Sequence, residues 1–345
     1  MADRDERPDG ASTQDAPRSA AGSTPRAGAG SGSRPEALVL TGPTGAGKTE
    51  LSLSVARRLD AEIISADSRQ VYRHLDIGTA KATPEQRARV PHHGLDLVDP
   101  GTRYSAGRFA REARAWIREI RGRGKVPMLV GGTGFFLRAL TDPLFREPPM
   151  DRERREALNA FLEAEDDATL GSWLETLDPE SAERLAESGG RQRVLRALEM
   201  ALLTGRPLGW WHRHRAAEEE GLDALVFVLS LPRERLYERI NRRVDAMLEA
   251  GLVDEVARML AEGYAPDDPG MTATGYPEIA AYLAGDLPLE EAAERIRSRT
   301  RGYARRQLTW FRNQLPDDPA RTVWLDGTRP TDELVDEVVQ RWARA

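Results

Sequence analysis

The run Gly42-Pro43-Thr44-Gly45-Ala46-Gly47-Lys48-Thr49 fits the phosphate-loop pattern G-x-x-x-x-G-K-S/T at every fixed position. Its glycines let backbone N–H groups converge on phosphate oxygens, and a helix beginning there adds free donors and a positive dipole end. Lys48 supplies a compact cation, and the Thr49 hydroxyl is a candidate Mg²⁺ ligand. The context suits the motif. The apolar run Ala37–Leu40 precedes it, and Glu50–Leu59 follows with apolar residues at Leu51, Val55 and Leu59. Such a loop holds a di- or triphosphate but does not say what chemistry follows.

Two more strand-like runs end abruptly in polar or glycine residues. Ile63-Ile64-Ser65 leads into Ala66-Asp67-Ser68-Arg69-Gln70-Val71-Tyr72. Asp67 at a strand's carboxyl end faces the ligand crevice of an open α/β sheet. It has three possible roles: a metal ligand through water, a general base, or an Asx cap on the next turn. The other run is Met128-Leu129-Val130-Gly131-Gly132-Thr133-Gly134-Phe135. Thr133 stands where NTP hydrolases usually carry an acidic residue. A hydroxyl is no carboxylate-type base, but it can donate a hydrogen bond to a leaving-group oxygen. The competing reading is a tight strand–helix turn that needs glycine.

A late stripe carries Arg295, Arg297, Arg299, Arg301, Arg305, Arg306 and Arg312, interleaved with Tyr303, Trp310 and Phe311. Guanidinium groups pair with backbone phosphates, and aromatics stack on exposed bases. The alternative is a solvated arginine-rich surface with Trp310 and Phe311 in the core. Adjacent His92 and His93 point in different directions, which argues against a shared zinc ion.

Several elements must position these groups. From Pro35 to about Leu140, strand candidates Ala37–Leu40, Glu62–Ser65 and Val126–Val130 alternate with helix candidates Glu50–Leu59 and Ala106–Arg121. This alternation predicts an α/β fold with a phosphate-loop NTPase-like parallel sheet flanked by helices. Residues 147–223 read as an inserted helical domain, so the catalytic core comprises 35–146 and 224–345. The second part holds a strand at Ala224–Leu229, helices at Arg233–Glu262 and Leu289–Arg312, a strand at Thr322–Leu325 and a helix at Thr331–Ala343. Residues 1–34 contain no aromatic or large aliphatic residue after Met1 and predict a disordered tail that activity does not need.

The 345 residues carry a net charge of −6, which excludes a globally basic nucleic-acid binder but not a local basic face. The chain has no cysteine, which excludes disulfides, a Cys nucleophile and Fe–S ligation, and fits a cytoplasmic protein. No apolar run approaches a membrane span.

Together and in this order, these residues resemble the tRNA dimethylallyltransferase (tRNA isopentenyltransferase) family. The matching blocks include Gly42–Thr49, Ser65–Tyr72, Asp76-Ile77-Gly78-Thr79-Ala80-Lys81, Pro91-His92-His93 with Asp96, and Tyr104-Ser105. Gly131-Gly132-Thr133, Gln192–Leu198, Arg239 through Leu248, and Tyr303 through Arg312 also match. The similarity runs from about Pro35 to Asp326.

The resemblance implies transfer of a dimethylallyl group from dimethylallyl diphosphate to N6 of the adenosine 3′ of the anticodon. Gly42 through Thr49, with Arg239 and Arg243, would hold the diphosphate with Mg²⁺ on Thr49. The catalytic residues would be Asp67 as general base, Thr133 and Lys48. The implied contacts to the tRNA anticodon stem-loop are Asp67, Ser68, Arg69, Gln70, Thr133 and Arg155. Further implied contacts are Gln192, Arg193, Val194, Leu195, Arg196, Arg305, Arg306, Gln307, Leu308, Thr309, Trp310, Phe311 and Arg312. A cytoplasmic monomer of the shorter bacterial form is expected. The chain departs from the family in two places. Gly189-Gly190 replace a usual Asn-Asp, and Thr274-Gly275-Tyr276-Pro277 replace a block that ends in a cation.

Overall fold

A computed structural model describes residues 34–142, 148–186, 190–214 and 220–345. The tail at 1–33 and Gly189 of the departing turn lie outside the described residues. Six parallel strands form one sheet in the order β3-β2-β4-β1-β5-β6. They are β1 (Ala37–Thr41), β2 (Ala61–Ser65), β3 (His92–His93), β4 (Val126–Gly131), β5 (Ala224–Ser230) and β6 (Thr322–Asp326).

Successive strand residues point to opposite faces, so β1, β2, β4 and β5 each feed two cores. Val39, Ile64, Leu129 and Val226 enter one core, and Leu38, Leu40, Ile63, Met128 and Phe227 enter the other. Burial on both faces explains why the strands read as continuous apolar runs rather than alternating ones. Helices Lys48–Leu59 and Thr331–Arg344 cover one face through Leu51, Val55, Leu334 and Val338. Helices Ala106–Gly122, Gly134–Thr141, Tyr276–Leu283 and Leu289–Gln314 cover the other through Phe109, Ile117, Phe136, Ile279 and Ile296. At roughly 1.5–3 kcal/mol per buried large apolar side chain, this two-sided packing is the main force holding the sheet.

The structure corrects the sequence reading at several elements. The single helix expected over Arg233–Glu262 is two, Arg233–Glu249 and Leu252–Ala261. Between them Gly251 takes a left-handed backbone, φ 99°, which a side chain disfavours. The short elements β3, Pro84–Arg89 and Tyr276–Leu283 were not expected, because runs of two to eight residues show too little periodicity.

Between β4 and β5 the described residues form helices only: Arg152–Ala164, Asp167–Leu177, Pro179–Ala186, Arg191–Thr204 and Leu208–His214 follow the helix after β4. Leu162, Leu170, Leu174, Leu195 and Leu198 give this group a core of its own. Among the described residues no helix is long and apolar enough to cross a membrane.

Candidate active site

The carboxyl ends of β1, β2 and β4 open into one cleft of about 1180 Å³, whose lining includes Lys48, Asp67, Thr133, Arg243 and Tyr303. The chain leaves β1 for β2 and returns to β4 between them, so the phosphate loop, the Asp67 turn and the Thr133 turn converge there.

The phosphate loop is shaped by its neighbours. Gly42 sits at φ 145°, and a Cβ there would lie 2.3 Å from the Leu229 carbonyl oxygen. The Lys48 ammonium donates to the carbonyls of Gly42 (2.9 Å) and Pro43 (2.8 Å). Removal from water lowers its pKa to about 8; Asp67 opposes that shift and Arg243 reinforces it. Desolvation also lowers the pKa of Arg243, again opposed by Asp67. Arg239 donates to the Ala46 carbonyl at 3.0 Å. Among the described residues Arg243 makes no hydrogen bond, so its donors are available to an anion in the cleft. The Thr44 N–H is engaged: it donates to Gln307 Oε1 at 2.9 Å.

On the opposite wall, Asp67 Oδ1 accepts the Arg69 N–H at 2.9 Å, the geometry of an Asx turn. That bond uses one oxygen and fixes the carboxylate's direction. Thr133 Oγ1 accepts the Ser68 N–H at 3.0 Å. Burial pushes the Tyr303 phenol up to about 12; the Asp67 charge adds to the shift and a hydrogen bond with Thr133 opposes it. Tyr303 thus stands beside both residues. Arg69 and Gln70 turn inward. Arg69 Nη1 donates to the Pro269 carbonyl at 2.8 Å, and Gln70 Nε2 donates to the carbonyls of Thr79 and Ala80, each at 3.2 Å.

The arginine helix Leu289–Gln314 divides in two. Arg295, Arg297, Arg299 and Arg301 are paired with Glu291, Asp245, Glu278 and Glu294. That half of the expected basic stripe is an internal ion-pair surface. Arg305, Arg306 and Arg312 are exposed and have no carboxylate partner among the described residues. A groove lined by Arg305, Arg306, Thr309 and Trp310 runs along this half.

Three residues on these helices that were expected to contact RNA are buried. Phe311 is 1% exposed in the sheet's core, and Leu195 packs in the core of the helical group. Gln307 is 6% exposed, with its amide bonded inward. Leu308 is half-buried against the cluster of Leu236 and Ile240, and Val194 against that of Leu195. Arg155 and Arg196 both bind the buried carboxylate of Glu199, which holds that carboxyl below its ordinary range despite burial. Gln192 and Arg193 are exposed.

Other contributors carry no strong sequence signal. Glu255 is buried and accepts the N–H groups of Asp76 (2.9 Å), Ile77 (2.8 Å) and Gly78 (3.0 Å), and the Tyr276 hydroxyl (2.7 Å). Burial and this carboxylate raise the Tyr276 pKa. The glutamate thereby holds the segment that Gln70 also grips. Phe135, 56% exposed, projects at the cleft beside Thr133. Its only signal is a large apolar residue directly after the Gly131–Gly134 turn. His93 bonds Glu62 (2.8 Å) and His92 the Val90 carbonyl (2.7 Å).

A family profile described as IPP transferase matches residues 70–314, and one described as isopentenyl transferase matches residues 35–90. The chain belongs to the tRNA dimethylallyltransferase family. It is 43% identical over 90% of its length to 97% of the tRNA dimethylallyltransferase of Desulfosudis oleivorans. It is 44% identical over 84% of its length to 91% of that of Geobacter sulfurreducens. The solved full-length tRNA isopentenylpyrophosphate transferase of Bacillus halodurans superposes with a TM-score of 0.64 at 37% identity, covering 90% of this chain and 97% of that one. A eukaryotic dimethylallyltransferase solved acting on tRNA superposes at 0.72 with 30% identity, covering 84% of this chain and 73% of that one. This dimethylallyltransferase-family chain is accordingly a prenyl-transferring enzyme built on a phosphate-loop-like α/β sheet.

Proposed function

We propose that the protein transfers a dimethylallyl group from dimethylallyl diphosphate to N6 of the adenosine 3′ of the anticodon in tRNA. The observation that carries this reading is one cleft with two unlike walls. The phosphate loop and Arg243 form a cationic wall, and Asp67, Thr133 and Tyr303 form an acceptor wall. The exposed arginines lie on the helix that supplies Tyr303.

The bond from the allylic carbon to the diphosphate oxygen breaks, and a bond from N6 to that carbon forms. Free loop N–H groups, Lys48, Arg239 and Arg243 stabilise the departing charge. The amine proton passes to Asp67, whose orientation is set by the Arg69 N–H. The Thr133 hydroxyl, bonded to the Ser68 N–H, faces the reacting region. The adenine must leave the anticodon loop's stack to reach the cleft, and exposed Phe135 offers it or a neighbour a stacking surface. Arg305, Arg306 and Arg312 pair with RNA phosphates, joined by Gln192 and Arg193.

Magnesium usually takes one or two protein oxygens and fills its remaining positions with phosphate and water, so the exposed Thr49 hydroxyl at the loop's end fits as its protein ligand. Bound there, the ion would neutralise charge on the leaving diphosphate.

Labelled dimethylallyl diphosphate offered with tRNA, AMP and ATP as acceptors tests the reading. Label in tRNA alone is expected. Label in AMP or ATP but not tRNA would assign the enzyme to free nucleotides, and ATP consumption without prenyl transfer would make it a kinase.

A further inference from the structure

Gln307 lies on the RNA-facing helix, yet it points into the protein and is 6% exposed. Its Oε1 accepts the Thr44 N–H at 2.9 Å, and its Nε2 donates to the Gly132 carbonyl at 2.7 Å. Thr44 belongs to the phosphate loop, and Gly132 immediately precedes Thr133. A single primary amide therefore spans the gap between the diphosphate wall and the acceptor wall. A primary amide does this with one side chain, presenting its oxygen to the N–H and its NH₂ to the carbonyl.

The surroundings are fitted to this bridge. A Cβ on residue 132 would lie 2.3 Å from Gln307 Nε2, so glycine there makes room for the amide. The neighbours on the helix divide the labour. Arg305, Arg306 and Thr309 face solvent, while Ala304 and Phe311 anchor the same helix in apolar clusters. The bridge consequently hangs from a fixed support.

We propose that Gln307 is a positioning residue that sets the separation between the allylic diphosphate and the attacking amine. The proposal rests on the prenyl-transfer reading. It reassigns Gln307 from RNA contact to internal strut, and it removes the Thr44 N–H from the phosphate-binding donors. In-line displacement tolerates little error: a misplacement near 1 Å can cost about 10²-fold in rate. Losing the strut should therefore slow the chemical step and leave RNA binding intact.

The test uses the full-length enzyme, first shown to label tRNA. A wild type that transfers no label would sink the functional reading itself. Gln307→Glu keeps the acceptor for Thr44 but opposes an oxygen to the Gly132 carbonyl. Gln307→Met removes both bonds without adding charge. Thermal melting of each confirms folding. Both variants are expected to lower the single-turnover rate at saturating substrates by at least about tenfold while the Kd for tRNA stays within about threefold of wild type. A rate within threefold of wild type would overturn the proposal. So would lost tRNA affinity with an intact saturated rate, which would mark an RNA contact. A parallel loss of rate, affinity and melting temperature in both variants would mark general packing and overturn it equally.

Discussion

The Thr133 hydroxyl accepts the Ser68 amide hydrogen at 3.0 Å, so the turn after β4 is pinned to the turn after β2. The two turns come from adjacent strands and carry Thr133 and Asp67, the two side chains proposed to act on the acceptor. The orientation of one thus depends on the position of the other. Thr133→Val keeps the shape and removes the oxygen. We expect its single-turnover rate to fall by about 10²-fold, the scale of one lost preorganised hydrogen bond, with tRNA affinity nearly unchanged. A rate near wild type would reduce Thr133 to a turn residue.

Asp67→Asn preserves the bond from the Arg69 N–H through its side-chain oxygen but cannot accept the amine's proton. The chemical step should slow by about 10²–10⁴-fold, the usual worth of a general base, while the Kd for tRNA holds. An Asx cap alone predicts little change in rate, so rapid quench at saturating substrate separates the two roles.

Lys48 titrates near pH 8 in the unliganded cleft, because desolvation disfavours its charge. The ammonium is the form that attracts diphosphate. Below pH 8 it is protonated, and above pH 8 it is progressively lost. kcat/KM for the prenyl diphosphate should fall about tenfold per pH unit on that side. kcat should stay flatter, since bound diphosphate raises the lysine's pKa. Lys48→Arg, which keeps its charge, should lose the alkaline limb. Persistence of the limb in that variant would assign it elsewhere.

The arginine helix allows an internally controlled comparison. Arg305→Ala with Arg306→Ala should weaken tRNA binding and lower the salt slope by about one unit per lost phosphate contact. Arg295→Ala with Arg301→Ala removes equal charge from side chains already paired with Glu291 and Glu294. That pair should leave the slope unchanged. Equal effects from both double variants would mean that only net charge matters.

Glu255 satisfies three backbone N–H groups and one phenol from a buried position. Glu255→Gln turns an NH₂ toward those donors and should destabilise the fold by about 1–3 kcal/mol. Chemical denaturation measures this directly; an unchanged midpoint would mean the segment Asp76–Gly78 has another support.

Most of the sheet was legible because strands buried on both faces announce themselves as apolar runs, and β1, β2 and β4 lead into residues that line the cleft. Gly42–Thr49, Asp67 and Thr133 were visible for that reason. Residue type could not tell which side of the arginine helix each position faces once Glu278 and Asp245 claim their partners from other helices. Gln307 therefore read as an RNA contact although it is buried, and Phe311 stayed open between base stacking and the core in which it lies. Glu255 was silent because one glutamate on an amphipathic helix looks like any solvated charge, and only tertiary packing turns it toward Gly78.

The most direct test of the central claim is nucleoside mass spectrometry on tRNA incubated with the purified enzyme and dimethylallyl diphosphate, with released diphosphate measured in parallel. The account predicts one dimethylallyl group on the adenosine 3′ of the anticodon for each diphosphate released, with no nucleoside triphosphate required. Unmodified adenosine at that position, or diphosphate appearing only when ATP is supplied, would contradict it.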